Sequence, residues 1–339
     1  MSTTTLVIIP TYNEVENLPL IVDRVLNANP DVDVLVVDDN SPDGTGEKAD
    51  ELAAEHERVN VLHRTGKDGL LAAYRAGFKW GLEREYEVLV QMDADGSHAP
   101  EELSLLLDEI SAGADLVIGS RYVEGGEVKH WPKSRYALSK LGNRYISLML
   151  GGDVKDMTAG YRAIRREVLE ELDLAALSNK GYIFQAELAH RAIDAGFDVR
   201  EVPVTFEDRK LGDSKLDPSF ALTSLGEVTK WGVTDAANNA AELAKEVTAL
   251  AKYEISRTNL PNLGDTVNSA AETVGNTAVA MKDLAAYELK RTSLSEIPGK
   301  VKALAADAAN TAESMVGLAQ YELRRAGLLS DGAEKADKR

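Results

Sequence analysis

Two aspartates one residue apart, Asp93 and Asp95, close an apolar run from Tyr86 to Met92 that reads as a buried strand. A strand that stops on Asp-x-Asp delivers two carboxylates to the carboxyl edge of a sheet, where open α/β sheets bind their ligands. Hard oxygen donors held that close suit a divalent cation bridging to phosphate oxygens, the usual setting for Mg²⁺ or Mn²⁺. The same pair alone would equally suit a solvated turn, so its surroundings have to decide.

A first strand ends in Pro10-Thr11-Tyr12-Asn13-Glu14 and a second in Asp38-Asp39-Asn40-Ser41-Pro42-Asp43-Gly44. Both ends should face the crevice that Asp93 and Asp95 face. A carboxylate there can accept hydrogen bonds from a base edge or a ribose hydroxyl, and Pro10 and Tyr12 could frame a flat base. Each segment also reads as an ordinary strand-to-helix turn, with Asn13 and Ser41 or Asp43 as caps. No G-x-G-x-x-G follows the first strand, which disfavours a nicotinamide cofactor. Arg64-Thr65-Gly66-Lys67-Asp68-Gly69-Leu70 is a basic turn that opens a helix, either as a phosphate contact or as a cap. Arg121 follows the fifth strand, Arg135 opens a later helix, and Arg209 lies in Asp208-Arg209-Lys210-Leu211-Gly212-Asp213-Ser214-Lys215. A single arginine is usually a surface ion pair. Three beside a metal-binding carboxylate pair fit phosphate clamps better, because the guanidinium fork matches phosphate oxygens.

These residues require a scaffold of alternating strands and helices. Apolar runs at Leu6–Ile9, Val32–Val37, Val59–Leu62, Val88–Met92 and Leu116–Ile118 read as buried parallel strands. Helical patterns at Glu16–Leu26, Gly44–Glu55, Leu70–Glu83 and Glu101–Ser111 separate them, the spacing of a doubly wound α/β sheet. Residues 122–135, with Gly125-Gly126 and Trp131-Pro132, read as a mobile active-site loop. A helix over Ser134–Leu150, a strand over Ala159–Ile164, a helix around Phe184–Ala195 and a last strand over Phe197–Phe206 complete the expected domain, residues 1–230.

Beyond it the texture changes. In residues 231–339 a 34-residue repeat places Tyr253, Tyr287 and Tyr321 in register, with Leu250, Leu284 and Leu318 upstream of them. Each unit reads as one amphipathic helix, so the expected extension is all-α; tetratricopeptide repeats, which need two helices per unit, do not fit. A small helical bundle, a contact with a membrane-protein partner and a peripheral membrane contact are its readings, the first two preferred because the stripes are alanine-rich.

Composition narrows the function. The net charge of -18 argues against sequence-independent nucleic-acid binding. Residues 1–230 hold 25 Lys/Arg against 41 Asp/Glu, and residues 231–339 hold 13 against 15, so the acidity belongs to the front part. The absence of cysteine excludes disulfides and thiolate metal sites and fits a reducing cytosol. No signal peptide and no run of ~18 apolar residues is seen. The expected location is cytoplasmic, at most peripheral on the inner face of the cell membrane.

In this order, P-T-Y-N-E, V-D-D-N-S-P-D-G-T, M-D-A-D-G-S-H-A-P-E, G-S-R-Y and R-K-L-G-D-S-K resemble the polyprenol (dolichol) phosphate mannose synthases. These are family 2 glycosyltransferases with the Rossmann-like GT-A fold, and the resemblance spans roughly residues 4–220. It implies that Pro10, Tyr12, Glu14 and Asp39 hold the GDP part of GDP-mannose, with Arg209 on the donor side. Asp93 and Asp95 would flank the diphosphate and coordinate Mg²⁺ or Mn²⁺. The third metal contact would fall on Ser97, where some members carry glutamine, a stronger donor. Arg121 and Arg135 would hold the acceptor phosphate; with Arg209 and Asp95 they form the implied catalytic set. Asp156-Met157-Thr158-Ala159-Gly160-Tyr161-Arg162 and Gly181-Tyr182-Ile183-Phe184-Gln185 also resemble family motifs and would shape the sugar and acceptor pocket. The Arg64–Leu70 turn lacks the family's last glycine at Leu71, so it receives no role.

The implied reaction is inverting transfer of mannose from GDP-mannose to a polyprenyl monophosphate. The same transfer from another nucleotide sugar, such as UDP-glucose, is the alternative within enzymes. A non-catalytic adaptor working through its helical tail is the alternative outside them.

Overall fold

The computed structural model describes residues 4–150, 153–177, 183–208, 228 and 231. The chain divides into two units, Met1–Ser224 and Leu225–Arg339. Almost all of the second, including the tyrosine repeats and the expected all-α extension, lies outside the described residues, as does Arg209.

The first unit is built on a seven-stranded sheet in the order β3-β2-β1-β4-β7-β5-β8. Its strands are β1 (Thr5–Thr11), β2 (Val32–Asp38), β3 (Val59–His63), β4 (Val88–Gln91), β5 (Leu116–Ser120), β7 (Arg162–Arg165) and β8 (Val199–Pro203). All neighbours run parallel except β7, which is antiparallel to both β4 and β5. A short second sheet pairs β6 (Glu127–Lys129) with β9 (Thr205–Glu207). The helices are α1 (Asn17–Ala28), α2 (Thr45–Glu55), α3 (Leu70–Leu82), α4 (Leu103–Ser111), α5 (Lys133–Leu150), α6 (Arg166–Glu171) and α7 (Phe184–Asp194).

Strand periodicity divides the core. Val7 and Ile9 of β1, Val34 and Val36 of β2, and Val88 and Val90 of β4 join the buried faces of α1, α2 and α4 in one cluster. The intervening residues point to the opposite face, as the two-residue repeat of a strand requires. There α3 packs on β1, β2 and β4. Glycine sets that distance: a methyl group on Gly77 would come within 2.6 Å of Ile8 Cγ2, and one on Gly81 within 2.7 Å of Leu89 Cδ2.

Four expectations need correction. β4 ends at Gln91, one residue before Met92, although Met92 stays fully buried. The strand expected over Ala159–Ile164 is β7, displaced toward Arg165; it runs antiparallel to both neighbours, a polarity left open in the sequence because periodicity carries no information about it. The 122–135 segment is not one loop; it contains β6, and α5 begins within it at Lys133. The single strand expected over Phe197–Phe206 is split at Val204 into β8 and β9, which belong to different sheets.

Candidate active site

β1 lies between β2 and β4, so the chain winds outward from β1 in two directions, and the crevice opens at the carboxyl ends of β1 and β4. On the β2 side, the turns after β1 and β2 are stitched together. The main-chain N–H groups of Asn13, Glu14 and Val15 donate to Ser41 Oγ (3.1 Å), Thr45 Oγ1 (3.0 Å) and Asp43 Oδ2 (3.3 Å). Asp43 Oδ1 also accepts from Thr45 N and Oγ1. Burial pushes the Asp43 carboxyl up, but the bonds from Thr45 and Val15 outweigh it and hold the group below the usual range. Asp38, almost wholly buried, accepts from Thr11 Oγ1 at 3.1 Å and from Ser41 Oγ at 2.5 Å. The two motifs are thus one lattice, and Asn13 and Asn40 adopt the left-handed conformation their turns require.

Asp39 is also buried and is closed by Arg64, which also reaches Asp68 at 3.1 Å. Burial raises its pKa and the arginine opposes that rise. Lys67 Nζ lies 3.9 Å from the centre of the Tyr12 ring. The basic turn therefore supports Asp39 and Tyr12. Pro10, next to last in β1, stands opposite Val37, and Glu14 accepts from Asn17 Nδ2 at 2.7 Å.

On the β4 side, Gly96 at φ +74° reverses the chain. Ser97 N donates to Asp95 Oδ1 (3.0 Å), and Asp93 N donates to His98 Nδ1 (3.1 Å). The His98 ring, nearly buried, stacks on Tyr161 with centres 5.0 Å apart. Tyr74 Oη lies 3.4 Å from Asp93 Oδ1. Among the described residues no three His, Cys, Asp or Glu side chains group around one point. Among the described residues the protein's own donors for a cation are thus two carboxylates, with the buried Ser97 Oγ, which has no hydrogen-bond partner among them, as third candidate. That all-oxygen set fits a hard divalent ion sharing its shell with phosphate or water.

The arginines separate into two kinds. Arg121 is buried and bound to Asp156 through Nε (2.7 Å) and Nη2 (2.6 Å), with Nη2 also donating to Thr158 Oγ1 at 3.0 Å. Burial works against its charge, but Asp156 outweighs burial and raises its pKa. It therefore closes the 156–160 loop and does not present an open fork to a phosphate. Arg135, half-exposed, lies over the Trp131 ring at 4.0 Å and pairs with Asp208 at 2.9 Å. A third, Arg162, is fully buried and donates to three carbonyls: Ala159 (2.8 Å), Met157 (2.8 Å) and Gln185 (2.6 Å). Burial pulls its pKa down to about 9, against the pull of Asp156 and Glu201. His98, Arg162 and Gln185 were not singled out individually in the sequence, although His98 stands three residues past Asp95 within the quoted motif.

The sequence family Glycosyl transferase family 2 matches residues 6–173. Over 230 residues the chain is 63 % identical to polyprenol monophosphomannose synthase of Mycolicibacterium smegmatis, covering 68 % of this chain and 87 % of that one. The chain belongs to glycosyl transferase family 2. It is a glycosyltransferase, and other members lie close to it. Undecaprenyl-phosphate mannosyltransferase of Micrococcus luteus is 54 % identical over 228 residues, 67 % of this chain and 93 % of that one. Dolichol-phosphate mannosyltransferase of Pyrococcus furiosus is 42 % identical over 216 residues, 62 % and 58 % respectively. Among solved structures, glucosyl-3-phosphoglycerate synthase of Mycobacterium tuberculosis, determined with Mn²⁺, UDP and phosphoglyceric acid, superposes with a TM-score of 0.51. At 19 % identity over 67 % of this chain and 77 % of that one, it bears on the fold alone, the mostly parallel GT-A sheet. No helix among the described residues is long and apolar enough to cross a membrane.

Proposed function

We propose that the protein transfers mannose from GDP-mannose to a polyprenyl monophosphate, with inversion, giving polyprenyl-phosphate mannose and GDP. The observation that carries this reading is that β2, β1 and β4 are parallel neighbours, so the segments after them, with Tyr12, Asp39, Asp93 and Asp95, leave the same edge of the sheet where its order turns. The names of the relatives support a mannosyl product on a lipid phosphate.

In this reading residues 1–230 are the transferase and residues 231–339 stand outside the reaction. Pro10, Tyr12, Glu14 and Asp39 hold the nucleoside, with Arg209 toward the donor phosphates. Asp93 and Asp95, with Ser97 as a weaker third donor, hold Mg²⁺ or Mn²⁺. When bound, such a cation neutralises charge developing on the leaving diphosphate. The acceptor phosphate, with a second pKa of about 6, is already a nucleophile near pH 7, so no general base is required. What the chain must supply is placement of two anions that repel each other. Arg135, on its Trp131 platform, is assigned to the acceptor phosphate. Arg121 acts as a positioning residue, because its guanidinium is spent on Asp156.

Purified protein given radiolabelled GDP-mannose, Mg²⁺ or Mn²⁺ and a short polyprenyl phosphate should yield organic-extractable label as the β-mannosyl phosphate. Equal label from UDP-glucose would overturn the donor assignment, and an α-linked product would overturn inversion.

A further inference from the structure

Gln185 is the second residue of α7 and only 1 % exposed, and its side-chain Oε1 has no hydrogen-bond partner among the described residues. Its main-chain carbonyl is held by Arg162, so the residue is anchored while its side-chain amide oxygen is left unpaired among the described residues. That amide faces the carboxylate edge. A methyl group built on Gly160 would stand 3.9 Å from Gln185 Nε2, 3.9 Å from Asp93 Oδ2 and 3.5 Å from His98 Cε1. The three groups therefore border one small space beside the Asp-x-Asp pair. A second such amide belongs to Gln91, which is fully buried with both side-chain polar atoms unpartnered and which stands opposite Arg162 in the β4–β7 ladder.

Sealing an amide away from water without a partner is costly, and folded proteins keep few such atoms without a reason. Leucine or methionine would fill the Gln185 position at no such cost. An amide offers one donor group and one acceptor, matching a sugar hydroxyl, which is both. A nucleotide sugar whose diphosphate lies at Asp93 and Asp95 carries its hexose beside this space.

We infer that Gln185 is a specificity-determining residue that hydrogen-bonds a hydroxyl of the donor's hexose, in the space bordered by Gly160, Asp93 and His98; this rests on the nucleotide-sugar reading above. Two variants of the full chain test it. Gln185→Leu removes the amide, and Gly160→Ala places a methyl group at ordinary contact distances in the space itself. The readouts are kcat/KM for GDP-mannose, the inhibition constant of GDP, and the melting temperature. Both variants should lose roughly tenfold to a hundredfold in kcat/KM while GDP inhibits as it does the wild type. Gln185→Leu should melt no lower than wild type, since it removes a buried oxygen without a partner. Unchanged kcat/KM in Gln185→Leu would overturn the inference, as would a parallel loss of GDP binding and of melting temperature, the mark of a packing role. Wild-type protein that binds GDP but transfers no mannose would instead overturn the reading beneath it.

Discussion

The two sides of the crevice are finished differently. On the β1/β2 side the N–H groups of three successive residues, Asn13 to Val15, meet side chains of the 41–45 turn, and Asp39 is closed by Arg64. On the β4/α7 side Ser97 Oγ, the Gln91 amide and Gln185 Oε1 are buried without partners among the described residues. Unpartnered buried groups cost about 1–3 kcal/mol each. The difference teaches where rigidity is finished by the protein and where hydrogen-bonding capacity is left for a ligand. The arginines repeat it: Arg121 is locked inside, whereas Arg135 stands half-exposed at the rim.

The comparison breaks most sharply at Asp95. Asp95→Ala should lower turnover roughly a thousandfold with circular dichroism unchanged, since it removes a charge needed for the leaving group together with a local turn bond from Ser97. Near-normal turnover would remove Asp95 from the metal site. Next comes Arg121→Ala, which strands Asp156 inside the protein. Breaking a buried pair costs about 3–5 kcal/mol, visible as a lower denaturant midpoint; an unchanged midpoint would contradict the locked role. Arg135→Ala should leave that midpoint in place and raise KM for the polyprenyl phosphate about tenfold, with KM for GDP-mannose unmoved. The smallest effect belongs to the stitched turns. Asp43→Ala should cost about 1 kcal/mol, the scale of a lost cap. Because the folded-state pKa of Asp43 is depressed, that advantage is full above the unfolded carboxylate value of about 3.9 and fades as pH falls through the lower folded value. Urea melts at pH 7 and near pH 3 should therefore show wild type and variant converging in acid.

The sequence was most legible where chemistry and periodicity coincide. Alternation placed β1, β2 and β4, and strand-end aspartates placed the carboxylates at the crevice. The expected caps were half-right: α1 starts after Glu16 with no side-chain cap bond, so Asn13 does not cap it, whereas Asp43 bonds Thr45 at the start of α2 and also reaches across to Val15. Long-range partners were not legible. Nothing local marks Asp156 as the partner of Arg121, 35 residues away, or reverses β7 between two parallel strands. Gln185 stood in a recognised motif, yet its unpartnered Oε1 is a property of packing that no spacing encodes.

The most direct test is the coupling between cation and nucleotide. GDP binding should be titrated by calorimetry with and without Mn²⁺, in wild type and in Asp95→Ala. With the cation held by Asp93 and Asp95 against the diphosphate, Mn²⁺ should tighten GDP at least about tenfold in wild type and leave the variant unchanged. Equal tightening in both proteins, or none in wild type, would contradict it.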